Sequence, residues 1–376
     1  MKKFKTIYIL ATAIILASCS SSAIDDISPV VRADSVPVLF GSQPQLEPLT
    51  RASDKFIDGT NVVNIPEGDL VGVFGFYQGT QDWDAWSEKT ANFFYNQSMT
   101  VGPNVAITDS KGVVTGNRAP LDYSPKRYWP NTDGAMCSFF GYYPFVASGT
   151  DPVSGVSSTN ENGLQFTNKA GSGMGYFTYT VKPDEKDQAD FLVSDMEANV
   201  TKQKIDERVV LKFHHMLSQV VVNVKKGEDV TSYTINSLGF DKLKSTGTLT
   251  PTCNKHEDNT YTTSFGWSGQ SGSQGYNCPT GTKTENQKTT FILMPQKFDE
   301  ASTATFSYDL EFTSKQGDTE TTKREAAIIN LKEERFKEWL PGVVYTYTIT
   351  LGADHIEVDL SIDTWYQTGL GWEVTI

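Results

Sequence analysis

Residues Val209 to Lys225, reading VVLKFHHMLSQVVVNVK, constrain the fold more tightly than any other stretch. In the first half the odd positions are apolar, Val209, Leu211 and Phe213. In the second half the even positions are, Val220, Val222 and Val224. Strand side chains alternate faces with period two, so this phase cannot change inside one regular strand. The slip has to be absorbed between His214 and Gln219, by a tight connection, a helical turn or a bulge. A core hairpin and a kinked strand both satisfy the pattern.

The rest of the chain reads the same way. Short apolar runs punctuated by Gly and Pro recur: Val36-Val38-Phe40, Leu70 to Tyr77, Phe93 to Tyr95, Met136 to Phe145, Gly175 to Val181, Thr290 to Met294, Ala304 to Phe312, Ala326 to Leu331 and Val343 to Leu351. Aromatics make up 12% of the residues and Thr and Val recur, which suits pleated, half-buried surfaces. No stretch keeps a 3.6-residue period over three turns, and only Leu331 to Leu340 suits one short helix. Many short strands with turn signals predict an all-β chain of sandwiches, and no fixed repeat argues for a solenoid or propeller.

Residues 1–18 read as a signal peptide: Lys2, Lys3 and Lys5, an apolar run from Ile7 to Ala17, then a small-residue site. The ending Leu16-Ala17-Ser18-Cys19 has the form of a bacterial lipobox, which assigns the lipid to Cys19 and anchoring to its acyl chains. Residues 19–34 are Ser-rich and polar and read as a tether, with Asp25 and Asp26 near the lipid site. The remaining length suits two domains, 35–202 and 203–376, divided in the polar stretch from Asp195 to Arg208. Net charge is −13, and removal of the three signal lysines leaves 29 Lys+Arg against 45 Asp+Glu, or −16. That balance argues against nucleic acid and suits an exported surface protein.

The residues that carry chemistry elsewhere form no constellation here. Cys137 lies in an apolar run and reads as a small buried hydrophobe. Cys253 and Cys278 flank a Gly/Ser-rich segment, and an exported compartment permits a disulfide between them. His214 and His215 are adjacent, so on a strand they point to opposite faces, poor geometry for one metal. The acidic pairs Asp184-Glu185 and Glu333-Glu334 read as solvated charge. There is no G-x-S-x-G, HExxH or P-loop, and GSGMGY from Gly171 precedes no helical pattern and reads as a hairpin turn. Trp83, Trp86, Trp129 and Trp372 suit either core packing or a sugar-stacking platform. No catalytic residue, metal or cofactor is assigned.

A strand, then Phe213-x-His215-x-Leu217-Ser218, then a Val-rich strand resembles the opening of the C-terminal domain in the fimbrillin family, lipoprotein subunits of protease-assembled (type V) pili. Other blocks agree in order: NFFYNQSMTV from Asn92, YWP from Tyr128, FFGYYPF from Phe139, DFLVSD from Asp190 and PGVVYTYTITL from Pro341, then a lone Trp365. The resemblance implies two tandem transthyretin-like β-sandwiches and a surface location on the outer membrane. It also implies assembly with other pilin subunits, by trimming an N-terminal strand and filling its groove from a neighbour.

Two further expectations follow. A polar stretch links Phe40 to Leu49-Thr50-Arg51-Ala52, and an exposed Arg51 before Ala52 suits a trypsin-like protease, with Arg32 the competing site. At the end of the sequence, Leu370, Trp372, Val374 and Ile376 alternate with Gly371, Glu373 and Thr375, the pattern of a half-buried strand. That strand is either the donor to a neighbour or the domain's own final edge. The function expected is therefore a structural or adhesive pilus subunit, not an enzyme. A surface glycan-binding lipoprotein is the alternative, resting on the tryptophans.

Overall fold

The computed structural model describes residues 35–44, 65–108, 114–147, 160–167, 173–333, 336–353 and 355–364. The signal segment and tether, Cys19, Arg51, Ala52, and Leu370, Trp372, Val374 and Ile376 lie outside those residues.

The phase change in Val209 to Lys225 is a change of sheet. β11 (Arg208–His215) buries Val209, Leu211 and Phe213, and β12 (Ser218–Lys226) buries Val220, Val222 and Val224. The two strands do not pair with each other, so the hairpin alternative is not what forms. Met216 and Leu217 link them, both fully buried. Their backbone is satisfied across the switch: Met216 N–H donates to Phe191 C=O at 2.8 Å, and Leu217 C=O accepts from Gly342 N–H at 2.9 Å.

The first sheet has nine strands. Its order is β1 (Leu39–Pro44), β11, β9 (Leu192–Ser194), β6 (Met136–Tyr143), β2 (Leu70–Tyr77), β3 (Phe94–Val101), β5 (Val114–Asp122) and β4 (Val105–Thr108). β10 (Glu197–Thr201) pairs with β6 off this path. β1 also pairs with β5, which closes the ring of pairings from β1 through β11, β9, β6, β2, β3 and β5. β6 and β2 are buried on both faces, which is why their sequences are continuous apolar runs. Inside the ring, Phe139 packs on Phe40, Phe94 and Trp129. On the other face, Phe74 stacks on Phe140 with ring centroids 5.0 Å apart.

That second face is covered by a four-stranded sheet: β15 (Tyr261–Ser271), β14 (Thr246–Lys255), β8 (Tyr176–Thr180) and β7 (Leu164–Thr167). Phe166 of β7 meets Phe74 at 4.7 Å. β7 and β8 pair, and Gly173 and Gly175 on their connection take positive φ, as a turn requires. This sheet pairs β8 with β14, so it draws strands from both sides of Gln203 and from both sides of Met216 and Leu217, and β11 itself pairs in the first sheet.

The later chain forms two facing sheets. One runs β18 (Gln287–Leu293), β12, β23 (Val343–Leu351), β24 (Ile356–Thr364). The other runs β16 (Gln274–Asn277), β13 (Val230–Leu243), β20 (Thr305–Gln316), β21 (Thr319–Asn330), with β17 (Gly281–Lys283) on β13. Phe240 of β13 reaches Phe291 of β18 at 6.3 Å and Tyr347 of β23 at 5.1 Å, and Phe306 of β20 reaches Tyr347 at 5.1 Å. Side chains interdigitating between two faces are the core of a β-sandwich.

Leu331 to Leu340 does not form one helix along its length: Phe336 lies in a 3-10 turn, its N–H donating to Glu333 C=O at 2.8 Å. A turn follows β21, and β22 (Glu338–Trp339) pairs with β19 (Gln296–Lys297). Leu331, Phe336 and Trp339 are all buried, and this irregular path delivers all three to the core.

Candidate functional site

β1 is the strand that most invites a functional reading. It is six residues long, and it closes the first ring. It lies parallel to β11, with Leu39 opposite Arg208 and Pro44 opposite Phe213, and antiparallel to β5, with Phe40 opposite Leu121 and Ser42 opposite Ala119. Its alternation places Val38, Phe40 and Ser42 inward; Val38 and Phe40 are fully buried. Phe40 meets Phe94 at 5.4 Å and Phe139 at 5.2 Å, both edge to face, with Tyr123 at 6.1 Å. A ring so enclosed contributes about 3–5 kcal/mol by comparison with truncations elsewhere.

The segment just before β1 is clamped by the YWP block. Val38 N–H donates to Arg127 C=O at 2.9 Å, and Trp129 N–H donates to Val36 C=O at 3.0 Å. The Tyr123 hydroxyl donates to Val38 C=O at 2.8 Å. Burial pushes that phenol up to about 12, so it keeps the proton it donates. On the other flank, Arg208 Nη1 donates to Phe40 C=O at 3.0 Å. Most of these bonds hold main chain rather than side chain, so they set the strand's position with little demand on its sequence.

Outward, Gly41 lies under the stem of Arg118: a Cβ at Gly41 would stand 3.3 Å from Arg118 Cδ. Beside it opens a cleft of about 830 Å³ whose lining includes Arg118, Pro120, Gln203, Asp206, Glu207 and Arg208. Neither arginine is in an ion pair among the described residues, and Arg118 Nε is buried without a hydrogen-bond partner. Sequence reasoning found the alternation of Val36, Val38 and Phe40 but not the two arginines, which come from strands distant in sequence.

The other expected residues are placed as follows. His215 Nδ1 meets Asp190 Oδ2 at 2.6 Å and His214 Nε2 lies 3.0 Å from Asp195 Oδ2, so each histidine takes its own carboxylate from either end of β9. The DFLVSD block thus supplies both partners. Cys253 and Cys278 are free thiols, as is Cys137. The disulfide is not made, because Cys253 lies on β14 beside β15 whereas Cys278 follows β16, in a different sheet. Trp83, Trp86 and Trp129 are buried at 3–4% exposure, so they form no platform for sugars. Trp83 and Trp86 pack against Phe76, and Lys89 lies 4.0 Å over the Trp83 ring.

A protein family described as fimbrillin-like matches residues 50–365. Among solved structures, a fimbrial protein from Bacteroides vulgatus is 20% identical, over 78% of this chain and 92% of its own, with a TM-score of 0.49. A fimbrial assembly protein from Parabacteroides distasonis is 10% identical, over 88% of this chain and 98% of its own, with a TM-score of 0.42. The tip fimbrial protein Mfa3 from Porphyromonas gingivalis, truncated at its C-terminus, is 12% identical, over 88% of this chain and all of its own, with a TM-score of 0.31. No curated protein matches.

Proposed function

The chain belongs to the fimbrillin-like family, a structural or adhesive subunit of a cell-surface pilus, and on that footing we propose how it is anchored and joined. Cys19 carries the lipid that holds the subunit to the outer membrane. Cleavage between Arg51 and Ala52 separates β1 from the body of the chain. A strand from a neighbouring pilin subunit, with Leu370, Trp372, Val374 and Ile376 on its buried face, then takes the place of β1. The chain passes from the first sheet to the later sandwich at Met216 and Leu217, between β11 and β12.

The observation that supports this reading is β1 itself. A short strand at the start of the described chain supplies two fully buried side chains and closes a ring of pairings, yet is held mainly through its backbone. It directly precedes the stretch that contains Arg51. Such a strand is replaceable by another of the same alternation, because main-chain bonds give affinity and alternate side chains give register. Trp83, Trp86 and Trp129 are buried, so of the four tryptophans behind the glycan-binding alternative only Trp372, outside the described residues, is left to support it.

N-terminal sequencing of surface filaments tests the proposal. The expected sequence starts at Ala52. Filament subunits that start at Cys19 would overturn cleavage at Arg51.

A further inference from the structure

The cleft beside β1 is lined by two arginines and by Asp206 and Glu207, but neither acid is ion-paired with either arginine among the described residues, and Glu207 turns to Lys204. Arg118 comes from β5 and Arg208 from β11, on the outward face that β1 shares with both. The resident strand offers Arg208 only the backbone carbonyl of Phe40 and offers neither arginine a side-chain partner: between them lies Gly41, without a side chain. An unpaired buried guanidinium nitrogen is costly, which makes this an incomplete ionic site.

We propose that the missing acid is Glu373 of a second copy, seated at the position of Gly41 between Arg118 and Arg208. The inference rests on the strand replacement proposed above and adds its register. The segment from Leu370 to Ile376 has one acid, flanked by the alternating apolar residues. Laid parallel to β11, as β1 lies, it has few placements that keep its apolar face inward.

Steric fit separates them. With Glu373 at Gly41, Leu370 takes the site of Val38, Trp372 that of Phe40, and Val374 that of Ser42. The indole then enters a pocket walled by Phe94, Tyr123 and Phe139. A shift of two residues one way drives Trp372 into the site of buried Ser42, which overpacks it. A further shift of two the same way puts Thr368 at Phe40 and leaves a void. Only the first register also brings a carboxylate to both arginines. Arg118 must lift off the strand to admit Glu373; its flexible stem can move, and the open cleft gives it room. Arg208 donates to the backbone carbonyl at the Phe40 position now and keeps that bond to Trp372.

The test is polymerisation of the full chain after limited cleavage with trypsin, read as a ladder on a gel run without boiling. Glu373→Arg and Arg118→Glu are each expected to slow ladder growth about tenfold, the scale of a like-charge contact at an interface. The double variant, with both charges reversed, is expected to recover to within about threefold of wild type. Uncleaved monomers carrying Glu373→Arg should melt as wild type does, which keeps a folding defect apart from an assembly defect. Wild-type ladder growth in both single variants would overturn the register, as would loss in both without recovery in the double. A chain truncated after Thr368 that still forms ladders would instead overturn strand replacement by this segment, and the register with it.

Discussion

Phe40 has no exposed surface and three aromatic neighbours, so its ring is the largest contribution β1 makes to the interior. Phe40→Ala in the uncleaved chain should lower stability by about 3–5 kcal/mol, from lost transfer energy and the cavity left behind. Leu39→Ala, half-buried on the outward face, should cost much less; paired denaturant titrations check both. The alternation that marks Phe40 was legible because period two is a steric property of the strand. The fate of Trp83 and Trp86 was not, since burial depends on which strand comes to lie over a ring. The His214 and His215 partners were equally out of reach, although the acids at both ends of DFLVSD were in plain view.

Elements far apart in sequence are joined by polar contacts at their ends. Asp82, on the loop after β2, accepts a hydrogen bond from the Tyr261 hydroxyl at the start of β15 and pairs with Lys255 of β14 at 3.2 Å. The Tyr261 bond, with help from the Asp84 backbone and Lys255, holds the Asp82 carboxyl down at about 2. A carboxylate whose folded value is depressed contributes stability above its ordinary value, near 4, and loses it as pH falls through about 2. Hydrogen-exchange protection factors in the Asp82 loop and in β15 should therefore fall between pH 4 and pH 2. Asp82→Asn should show low protection throughout and lack that step. Other carboxylates protonate in the same window, so the difference between wild type and variant is the quantity to read. The sheet change at Met216 and Leu217 was legible as a phase slip because both flanking strands are half-buried. The parallel pairing of β1 with β11, which sets Leu39 opposite Arg208, and the docking of β8 on β14 were not, since no local pattern encodes a distant partner.

On the scale of the whole molecule, the ring closed by β1 makes cleavage and release separate events. Cutting at Arg51 breaks one peptide bond but none of the contacts that hold Val36 to Ser42. Val38 and Phe40 contribute roughly 1.5–3 kcal/mol each through burial, and the paired backbone adds to that. Whole-domain stability is only about 5–15 kcal/mol, so the strand is a large share of what keeps the first sheet closed. A subunit cut at Arg51 should therefore keep its N-terminal fragment and melt close to the uncut protein. Unfolding in denaturant, removal of the fragment and refolding should give a subunit that melts roughly 10 °C or more lower, at about 2–4 °C per kcal/mol for a chain of this size. A synthetic peptide of Val36 to Ser42 added in excess should restore part of that loss by binding the folded state. Native mass spectrometry of the cut protein checks retention directly. Spontaneous loss of the fragment on cutting, with no change in melting, would mean that β1 does not hold the ring closed. On the proposed strand replacement, retention means that the incoming strand must displace β1, and ladder growth should then depend on the concentration of the donor subunit.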